Sequence, residues 1–418
     1  MARSNILPDL EITILNVLRR NHSAMKKTSI CEETNLPWTS ASRGIDNLIE
    51  RGMVRTTEKK EIEIVPEYGF FLGVSVGTSN VKICLHDFAL NNVKNDYFNS
   101  FKKTKEISDS YDAFINDNKF KTYGEDNQDY VKLCATTPTD DIYDLTRLIN
   151  DILKFVITFY DSGLNILSCG LSFPGHIDHK NNKIIESLNL NLNFKDFSLE
   201  NIATESVCCE LKKRGIEIYF EHNVKAAAVA EKEFNKDLED FVLLYMGTGL
   251  GTAYILNNQL FRGSNNLTGQ LGHTKTDGYN CKEETFVNND DVCVCGRKNC
   301  LEHMIRKKVF TKDDLHGTET EKLIKFLNDN QDEANLFAKC ISNSIYNLVF
   351  LLGVNQFVLA GKLPSLYHTI ELKVKSNLIN ERCNNYAIQR TAFGEFSAAV
   401  GAAVCAYYRF YNIPFSWK

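Results

Sequence analysis

The first 65 residues alternate apolar and polar positions, first with helical spacing and then with strand spacing. Five apolar residues recur at helical spacing within 9–21 and predict an amphipathic helix: Ile12, Ile14, Leu15, Val17 and Leu18. Two more helices are predicted over 28–34 and 39–51, the second with Ile45, Leu48 and Ile49 facing inward and Gly52 ending it. Residues 55–65 then alternate as two short strands around a charged tip, so this head predicts three helices and a wing-like hairpin.

From Phe70 onward, apolar strands run into Gly-rich turns and alanine-rich or amphipathic helices. The pattern occurs twice, which predicts a two-lobed α/β body with a cleft between the lobes. We therefore divide the chain into a head, residues 1–65, and a two-lobed body, residues 66–418. A polar insertion at about 98–140 is expected to be a long surface excursion from the first lobe.

Composition and the length of the apolar runs indicate the class of protein and its compartment. The chain has 418 residues, 43% of them hydrophobic, and is long enough for two or three domains. Charges interrupt the N-terminal segment before a signal peptide could form, and no window approaches the eighteen apolar residues of a membrane span. We expect a cytoplasmic protein with no membrane association, whose 13 cysteines are reduced or hold metal.

The charge of the head suggests nucleic acid as its partner. Residues 1–60 carry ten Lys/Arg and seven Asp/Glu, a net +3, whereas the whole chain is −5. Two helices joined by a tight turn form the geometry that enters a DNA major groove. The third helix carries the polar side chains that we expect to reach phosphates and base edges: Thr39, Ser40, Ser42, Arg43 and Asn47. The alternative is a three-helix module for protein interaction.

A cysteine-rich loop predicts a metal site. Cys293, Cys295 and Cys300 lie within eight residues, and His273 precedes them. Three thiolates and one imidazole give the closed tetrahedral set of a structural zinc. Buried free cysteines are the alternative, but the polar neighbours of this loop do not suit a core. Cys281 could replace His273 as the fourth ligand.

The ordered set of motifs resembles the ROK family (repressors, open reading frames and sugar kinases), which has an actin-like ATPase fold. The most specific part is GQLGH followed by CVCGRKNCLE, which is similar to the family's Gly-Glu-x-Gly-His and zinc signature. The longer gap between these motifs implies an inserted loop at about 277–290. The segment LPWTSASRGIDNLIERGMV resembles the recognition half of bacterial winged helix-turn-helix repressors. Gly44 departs from that pattern and, because glycine lowers helix propensity, predicts a short or loosely held helix.

The resemblance also implies a sugar site that lacks acidic groups. Family kinases use the Asp of an Asn-Asp pair as general base, and the matching segment FEHNVKAAAVAE has His222 and Asn223 there. An amide cannot deprotonate a sugar hydroxyl, although the adjacent His222 could in principle act as a base. Ser75 stands where an Asp would help to hold a magnesium nucleotide, and Gln270 where a Glu would bind sugar. Glu302 is retained as a sugar ligand, and Asn189 is a weaker candidate.

Three functions are compatible with these features. The leading hypothesis is a transcriptional regulator, most simply a repressor, that binds operator DNA as a homodimer or higher oligomer and responds to a carbohydrate or sugar phosphate. In this hypothesis the protein is not an enzyme and its only cofactor is structural zinc. The second hypothesis is an ATP-dependent sugar kinase with an altered base. The third is a DNA-bound scaffold whose cleft has lost its ligand.

Overall fold

The computed structural model describes residues 7–78, 80–102, 104–122, 130–136, 142–187, 190, 195–247, 249–274, 293, 295, 300–303, 319–363, 366–378 and 386–415. The head contains three helices and a two-stranded antiparallel hairpin: α1 Asp9–Asn21, α2 Lys27–Thr34, α3 Trp38–Glu50, β1 Val54–Thr56 and β2 Ile62–Ile64. The order and spacing fit a winged helix-turn-helix. One inward-facing prediction is wrong: Ile49 is 36% exposed, whereas Ile45 and Leu48 are fully buried.

Gly44 has a packing role in α3. The helix is 13 residues long, so the expectation of a short helix is wrong. A Cβ at Gly44 would lie 2.7 Å from Cδ1 of Ile14 and 3.1 Å from Cγ of Leu10, both on α1. Glycine therefore lets α1 and α3 approach closely, and the buried contact compensates for its lower helix propensity.

The first lobe of the body follows the head. Its elements are β3 Phe70–Val76, β4 Asn80–Asp87, α4 Asn95–Asn99, α5 Lys105–Asp117, β5 Lys121–Thr122, β6 Lys132–Thr136, α6 Ile142–Asp161, β7 Ile166–Phe173, β8 His176–Asp178, β9 Lys183–Glu186, β10 Lys195–Phe197, α7 Leu199–Ile202, α8 Glu205–Arg214 and β11 Glu217–His222. Helix α9, Asn223–Phe234, follows β11 and packs against the sheet of the second lobe. Six strands form one mixed sheet in the order β11-β7-β3-β4-β6-β5, and β8, β9 and β10 form a smaller sheet. Because β7 and β11 run parallel and are buried, their carboxyl ends meet at one edge of the sheet, where a ligand can bind.

The second lobe is built on a five-stranded sheet. Its elements are β12 Phe241–Met246, β13 Leu250–Leu256, β14 Gln259–Phe261, a 3₁₀ turn Leu271–His273, α10 Glu319–Asp329, α11 Gln331–Leu352, β15 Gln356–Gly361, α12 Tyr367–Leu378, β16 Ala387–Arg390 and a 3₁₀ turn Gly394–Phe396. The last helix, α13 Ser397–Phe410, packs back against β3 and β7 of the first lobe. The strand order is β14-β13-β12-β15-β16, with β15 parallel to both neighbours. Two α/β lobes confirm the predicted fold class of the body.

The insertion at 98–140 is more ordered than the sequence suggests. Its described part contains α5, the edge strand β5 and the adjacent strand β6, and the two strands extend the first sheet. Phe114 and Phe120 from this segment are buried and stacked, with ring centroids 5.1 Å apart. The expectation of a polar surface excursion is therefore wrong for these parts, because aromatic residues spaced along the segment anchor it to α6. The loop expected at 277–290 lies outside the described residues.

Helix α13 connects the body with the head. It packs against α9 and against β3 and β7, and its C-terminal tyrosines belong to the same apolar cluster as α1 and α3 of the head. The proposed domains, 1–65 and 66–418, therefore share a core. Among the described helices, none has the length and apolar character needed to cross a bilayer.

Candidate functional site

A cavity of about 250 Å³ lies between the two lobes. It brings together four of the five predicted sugar ligands: His222, Asn223, Gln270 and Glu302. The fifth, Asn189, lies outside the described residues. The volume is just below the usual range for small-molecule sites, and the cavity can hold a monosaccharide.

The strand-to-helix junction places the first two ligands. β11 ends at His222, and α9 begins at Asn223, so both side chains stand at the carboxyl edge of the first sheet. Oδ1 of Asn223 accepts a hydrogen bond from the amide of Val224 over 2.9 Å, which caps the helix start. An amide here can donate to and accept from a sugar hydroxyl, but it cannot take the hydroxyl proton.

His222 is neutral in this environment. Burial, followed by the neighbouring Lys225 ammonium, lowers the pKa of His222 to about 3. Lys225 itself donates to the carbonyl oxygen of Asn266 over 2.6 Å, and burial lowers its pKa to about 8. A base works best when its pKa is near the operating pH, so His222 is poorly suited to deprotonate a sugar.

Glu302 is fixed by close approach of backbone. Its Oε2 accepts from the amide of Leu250 over 3.1 Å. A Cβ at Gly249 would lie 2.9 Å from that oxygen, and one at Gly272 would lie 2.8 Å from it. Gly249 of GTGLG and Gly272 of GQLGH therefore make room for the carboxylate. This close approach explains the two glycines, and no bound phosphate is needed to account for them.

A buried ion pair joins the two lobes beside the predicted sugar ligands. Glu221, on β11, receives two hydrogen bonds from Arg262, which follows β14 in the other lobe, at 2.6 and 3.1 Å. His179 Nε2 lies 3.2 Å from the same carboxylate. Burial alone would raise the pKa of Glu221, but Arg262 and His179 hold it well below its usual range. The paired charges stabilise one arrangement of the lobes beside His222.

The other end of the cavity contains charges that sequence reasoning missed. Ser75 on β3 pairs directly with Lys82 on β4, and Lys82 forms an ion pair with Glu395 at 2.7 Å. Lys362, which follows β15, donates to Oδ1 of Asn80. Alternation along β4 could have placed Lys82 beside Ser75, but no local signal indicates Glu395 or Lys362. Two further lining residues, His176 and Glu186, pair across β8 and β9 and were also missed.

The predicted metal ligands form one cluster. Nδ1 of His273 lies 3.6 Å from Sγ of Cys293 and 3.9 Å from Sγ of Cys300, and Sγ of Cys295 lies 3.8 Å from that of Cys300. All four ligand atoms fall within 4.8 Å of one another. A tetrahedral ion with metal–sulfur bonds of about 2.3 Å and a metal–nitrogen bond of about 2.0 Å separates its ligands by roughly 3.5–3.8 Å. The residues fit a closed four-coordinate metal site. Cys281 lies outside the described residues.

The surface of α3 carries most of the predicted DNA contacts. Thr39 and Arg43 are exposed, Ser40 is half-buried, and Ser42 accepts from Lys27 Nζ over 3.4 Å. Asn47 differs from expectation, because its amide donates to Oε1 of Glu11 over 3.0 Å and is engaged within the head. Sequence reasoning missed Trp38, which is 54% exposed at the start of the same helix.

Comparison with protein families gives a match over most of the body. The ROK family model matches residues 122–408, more than half of the chain. The xylose repressors of Bacillus spizizenii and Bacillus subtilis are each 25% identical to the chain, over 283 and 271 residues. These alignments span 67% and 64% of the relatives' length, so the chain matches about two thirds of each. An N-acetylmannosamine kinase of Haemophilus influenzae is 25% identical over 44% of this chain and 60% of the kinase.

Solved structures with the same fold include both regulators and kinases. A ROK family transcriptional regulator, described as a homolog of the E. coli MLC protein, superposes with a TM-score of 0.66 at 16% identity, covering 97% of this chain and 98% of its own. A ROK family glucokinase from Streptomyces griseus, in complex with glucose and AMPPNP, superposes with a TM-score of 0.54 at 16% identity, covering 81% and 99%. The regulator covers the head as well as the body, whereas the kinase covers less of this chain. At this identity the likenesses establish the fold.

Proposed function

The chain belongs to the ROK family, and on that premise we propose that it is a sugar-responsive transcriptional repressor. In this proposal the cleft of the body binds a carbohydrate, and the head binds operator DNA. The sequence similarity to xylose repressors and the full-length likeness to a ROK regulator support this function. A protein that acts on DNA in this way would work in the cytoplasm.

A single helix links the two functions, and this observation carries the proposal. The first residue of α9, Asn223, lines the cleft, and its penultimate residue, Glu233, forms an ion pair with Arg19 of α1 in the head. Ten residues of α-helix span about 15 Å. A displacement of Asn223 on ligand binding would therefore be transmitted to the head by a rigid element.

The contact at the head end of α9 is buried and specific. Nη2 of Arg19 lies 3.1 Å from Oε1 of Glu233, and both side chains are at most 4% exposed. Tyr408 of α13 donates to the other Glu233 oxygen over 2.7 Å and accepts from Arg19 over 3.3 Å. The guanidinium also stacks over Tyr407, 4.7 Å from its ring centroid. Because breaking a buried ion pair is costly, the head would follow α9 rather than separate from it.

We infer that the cleft binds sugar without phosphorylating it. Asn223 offers no carboxylate for general-base catalysis, and the low pKa of His222 makes it a weak replacement. Ser75 provides no charge for a magnesium nucleotide, and the Lys82 ammonium beside it would repel the metal. The runner-up function is an ATP-dependent sugar kinase, which the similarity to N-acetylmannosamine kinases favours.

The metal cluster supports the ligand site in this proposal. A structural zinc would be held by four residues: His273, Cys293, Cys295 and Cys300. The bound ion would fix the loop that carries these cysteines. Glu302 follows Cys300 by two residues, so the metal would position the carboxylate that contacts sugar. The closed donor set leaves no position for a substrate.

DNA binding would require two heads. One recognition helix covers only a few base pairs, and useful specificity needs two half-sites about one helical turn apart. We therefore propose a homodimer or higher oligomer that presents paired α3 helices to a symmetric operator. Thr39, Ser40, Ser42 and Arg43 would contact DNA, whereas Asn47 would support α3 through Glu11.

Sugar-dependent DNA binding tests the proposal. A duplex would be selected from a randomised library with the full-length protein, and its affinity measured by fluorescence anisotropy with and without D-xylose, D-glucose, N-acetylmannosamine and their phosphates. At least one of these compounds should weaken DNA binding by ten-fold or more. DNA binding that no compound alters, together with no compound shifting the melting temperature, would instead favour a scaffold with a non-functional cleft.

A further inference from the structure

The head has a single Phe, Tyr or Trp, and this residue, Trp38, lies on its surface. Trp38 is 54% exposed, whereas the buried apolar residues of the head, such as Ile14, Leu18 and Leu48, contain no aromatic ring. One exposed apolar side chain is common on a protein surface, so the place of Trp38 in the fold is what distinguishes it.

Trp38 is the first residue of α3. Thr39 follows it, and Arg43 lies one turn further on the same side as Thr39; both are exposed. In a helix-turn-helix, the N-terminal residues of the second helix contact base edges in the major groove. If α3 enters the groove as proposed, Trp38 is therefore among the residues nearest to the bases.

The opposite end of α3 faces the body. Burial raises the pKa of the Tyr411 hydroxyl, and the Arg51 guanidinium, which follows α3, opposes that rise. Arg51 also lies 3.4 Å from Oε2 of Glu11 on α1. The 13 residues of α3 span about 20 Å. The body therefore borders the C-terminal end of the helix, and the exposed Trp38 stands at the end that a macromolecule can approach.

The chemistry of the indole selects one feature of the groove. Base edges in the major groove present hydrogen-bond donors and acceptors, together with one apolar group, the 5-methyl of thymine. The indole has an apolar face, a ring N–H that only donates, and no charge to pair with a phosphate. Burying the methyl group against the ring is the apolar contact that a base edge can offer it.

We propose that Trp38 contacts the 5-methyl group of a thymine in each operator half-site and makes DNA binding specific for thymine at that position. This inference rests on the proposed function, since it assigns a specificity-determining residue to the DNA-binding head. Trp38 supplies the apolar part of base recognition, and Thr39 and Arg43 supply hydrogen bonds beside it.

Removing single methyl groups from the operator tests the contact. The duplex selected with the full-length protein would be remade with each thymine in turn replaced by deoxyuridine, which lacks only the 5-methyl group. Anisotropy should show that wild-type affinity falls by roughly four-fold at one thymine position of each half-site, as expected for one methyl group lost from an apolar contact.

Variants assign that loss to Trp38. Trp38→Ala should bind the parent duplex more weakly and be insensitive to deoxyuridine at the same position. Trp38→Phe keeps an apolar ring and should retain most of the sensitivity. The control Tyr143→Ala removes an aromatic side chain from a residue that is 78% exposed on the body, and it should match the wild type.

The fluorescence of Trp38 provides a second measurement. The chain has two tryptophans, Trp38 and Trp417, so Trp38 is the sole emitter in a Trp417→Phe variant. Saturating DNA should change its emission as the ring enters the interface. Unchanged emission at saturation would contradict the contact.

The other outcomes separate this inference from the proposed function. Equal effects of deoxyuridine on the wild type and Trp38→Ala, or selected half-sites without a recurrent thymine, would overturn the inference while DNA binding stands. Trp38→Ala that weakens all duplexes alike would place the ring on the sugar-phosphate backbone and also overturn it. So would a variant whose only change is a smaller mass in solution, since Trp38 would then contact protein. If the wild type selects no duplex, the proposed function itself fails.

Discussion

The amide of Leu250 donates to the carboxylate of Glu302 over 3.1 Å and so attaches the Gly-rich turn of the second lobe to the metal-ligand loop. Leu250 begins β13, and Glu302 follows the ligand Cys300 by two residues. The orientation of Glu302, which we propose as a sugar ligand, therefore depends on a loop whose shape a metal ion would set.

Removing the metal should weaken effector binding as well as stability. Cys295→Ser should reduce metal affinity by more than the roughly 10–100-fold typical of losing an outer-shell partner, because it removes a ligand itself. Glu302 would then lose its fixed position. Elemental analysis of fresh wild-type protein should find zinc near one per chain, and calorimetry should show weaker effector binding in the variant. Cys209→Ser, an exposed cysteine outside the cluster, is the control. Freshly purified wild-type protein in which elemental analysis finds no zinc would contradict the metal site.

Arg43→Ala should weaken operator binding and leave effector affinity unchanged. Arg43 is exposed on α3, and one lost base or phosphate contact costs about 1–3 kcal/mol per half-site. Anisotropy measures the first property and calorimetry the second. Arg147→Ala, 70% exposed on the body, removes the same charge elsewhere and should change neither. Equal losses in both measurements would mean that the variant had unfolded the head.

Arg19→Met should destabilise the protein and disconnect the head from the cleft. It leaves Glu233 charged and buried, a change that costs roughly 3–5 kcal/mol in the free energy of unfolding. The double variant Arg19→Met, Glu233→Gln removes the unpaired charge and should recover most of that stability. DNA binding by the double variant should no longer respond to effector. A full response would show that the signal does not travel through α9.

The wild-type protein should not hydrolyse or transfer phosphate from ATP. Given ATP, magnesium and the sugar that raises its melting temperature, it should release no ADP above background. Asn223→Asp alone should also remain inactive, because Ser75 still leaves the magnesium nucleotide poorly held. Steady turnover by the wild type would establish the kinase and make His222 the first candidate for its base.

Stability should fall on acidification partly through His222. Burial and Lys225 lower its pKa from 6.5 to about 3, so between these values the unfolded chain binds a proton that the folded protein does not. The contribution is therefore present above pH 6.5 and is lost as the pH falls towards 3. Denaturant unfolding of His222→Asn should show a shallower pH dependence in this window. The control His22→Asn, on the surface of the head, should show the pH dependence of the wild type. If His222→Asn also shows the wild-type pH dependence, His222 is solvated in the folded protein and the prediction is wrong.

The parts of the molecule that sequence reasoning found are those encoded locally. Three cysteines within eight residues and a nearby histidine predict a metal cluster because chain connectivity already brings them close. The strand-to-helix junction at His222 and Asn223 is likewise visible in a single segment. Alternating strands and helices predict the two lobes for the same reason.

The parts that it missed depend on contacts between distant segments. Lys82 and Glu395 are 313 residues apart, and nothing near either residue indicates the other. Gly44 looks like a defect in α3 until Ile14 of α1 is seen against it. Ile49 has the spacing of a core residue on the 13-residue helix α3. The buried face of the helix is narrower than its apolar stripe, and Ile49 lies at the exposed edge of that stripe.

The apolar cluster that runs from α1 and α3 into α13 has a consequence for how the protein unfolds. Domains with separate cores melt independently, but here Leu18 and Tyr407 belong to one buried cluster. The head and the body should therefore unfold in one cooperative transition, and cutting the chain after residue 65 would expose apolar surface on both pieces. Exchanging heads between such regulators would succeed only where the new head reproduces the surface that α13 buries.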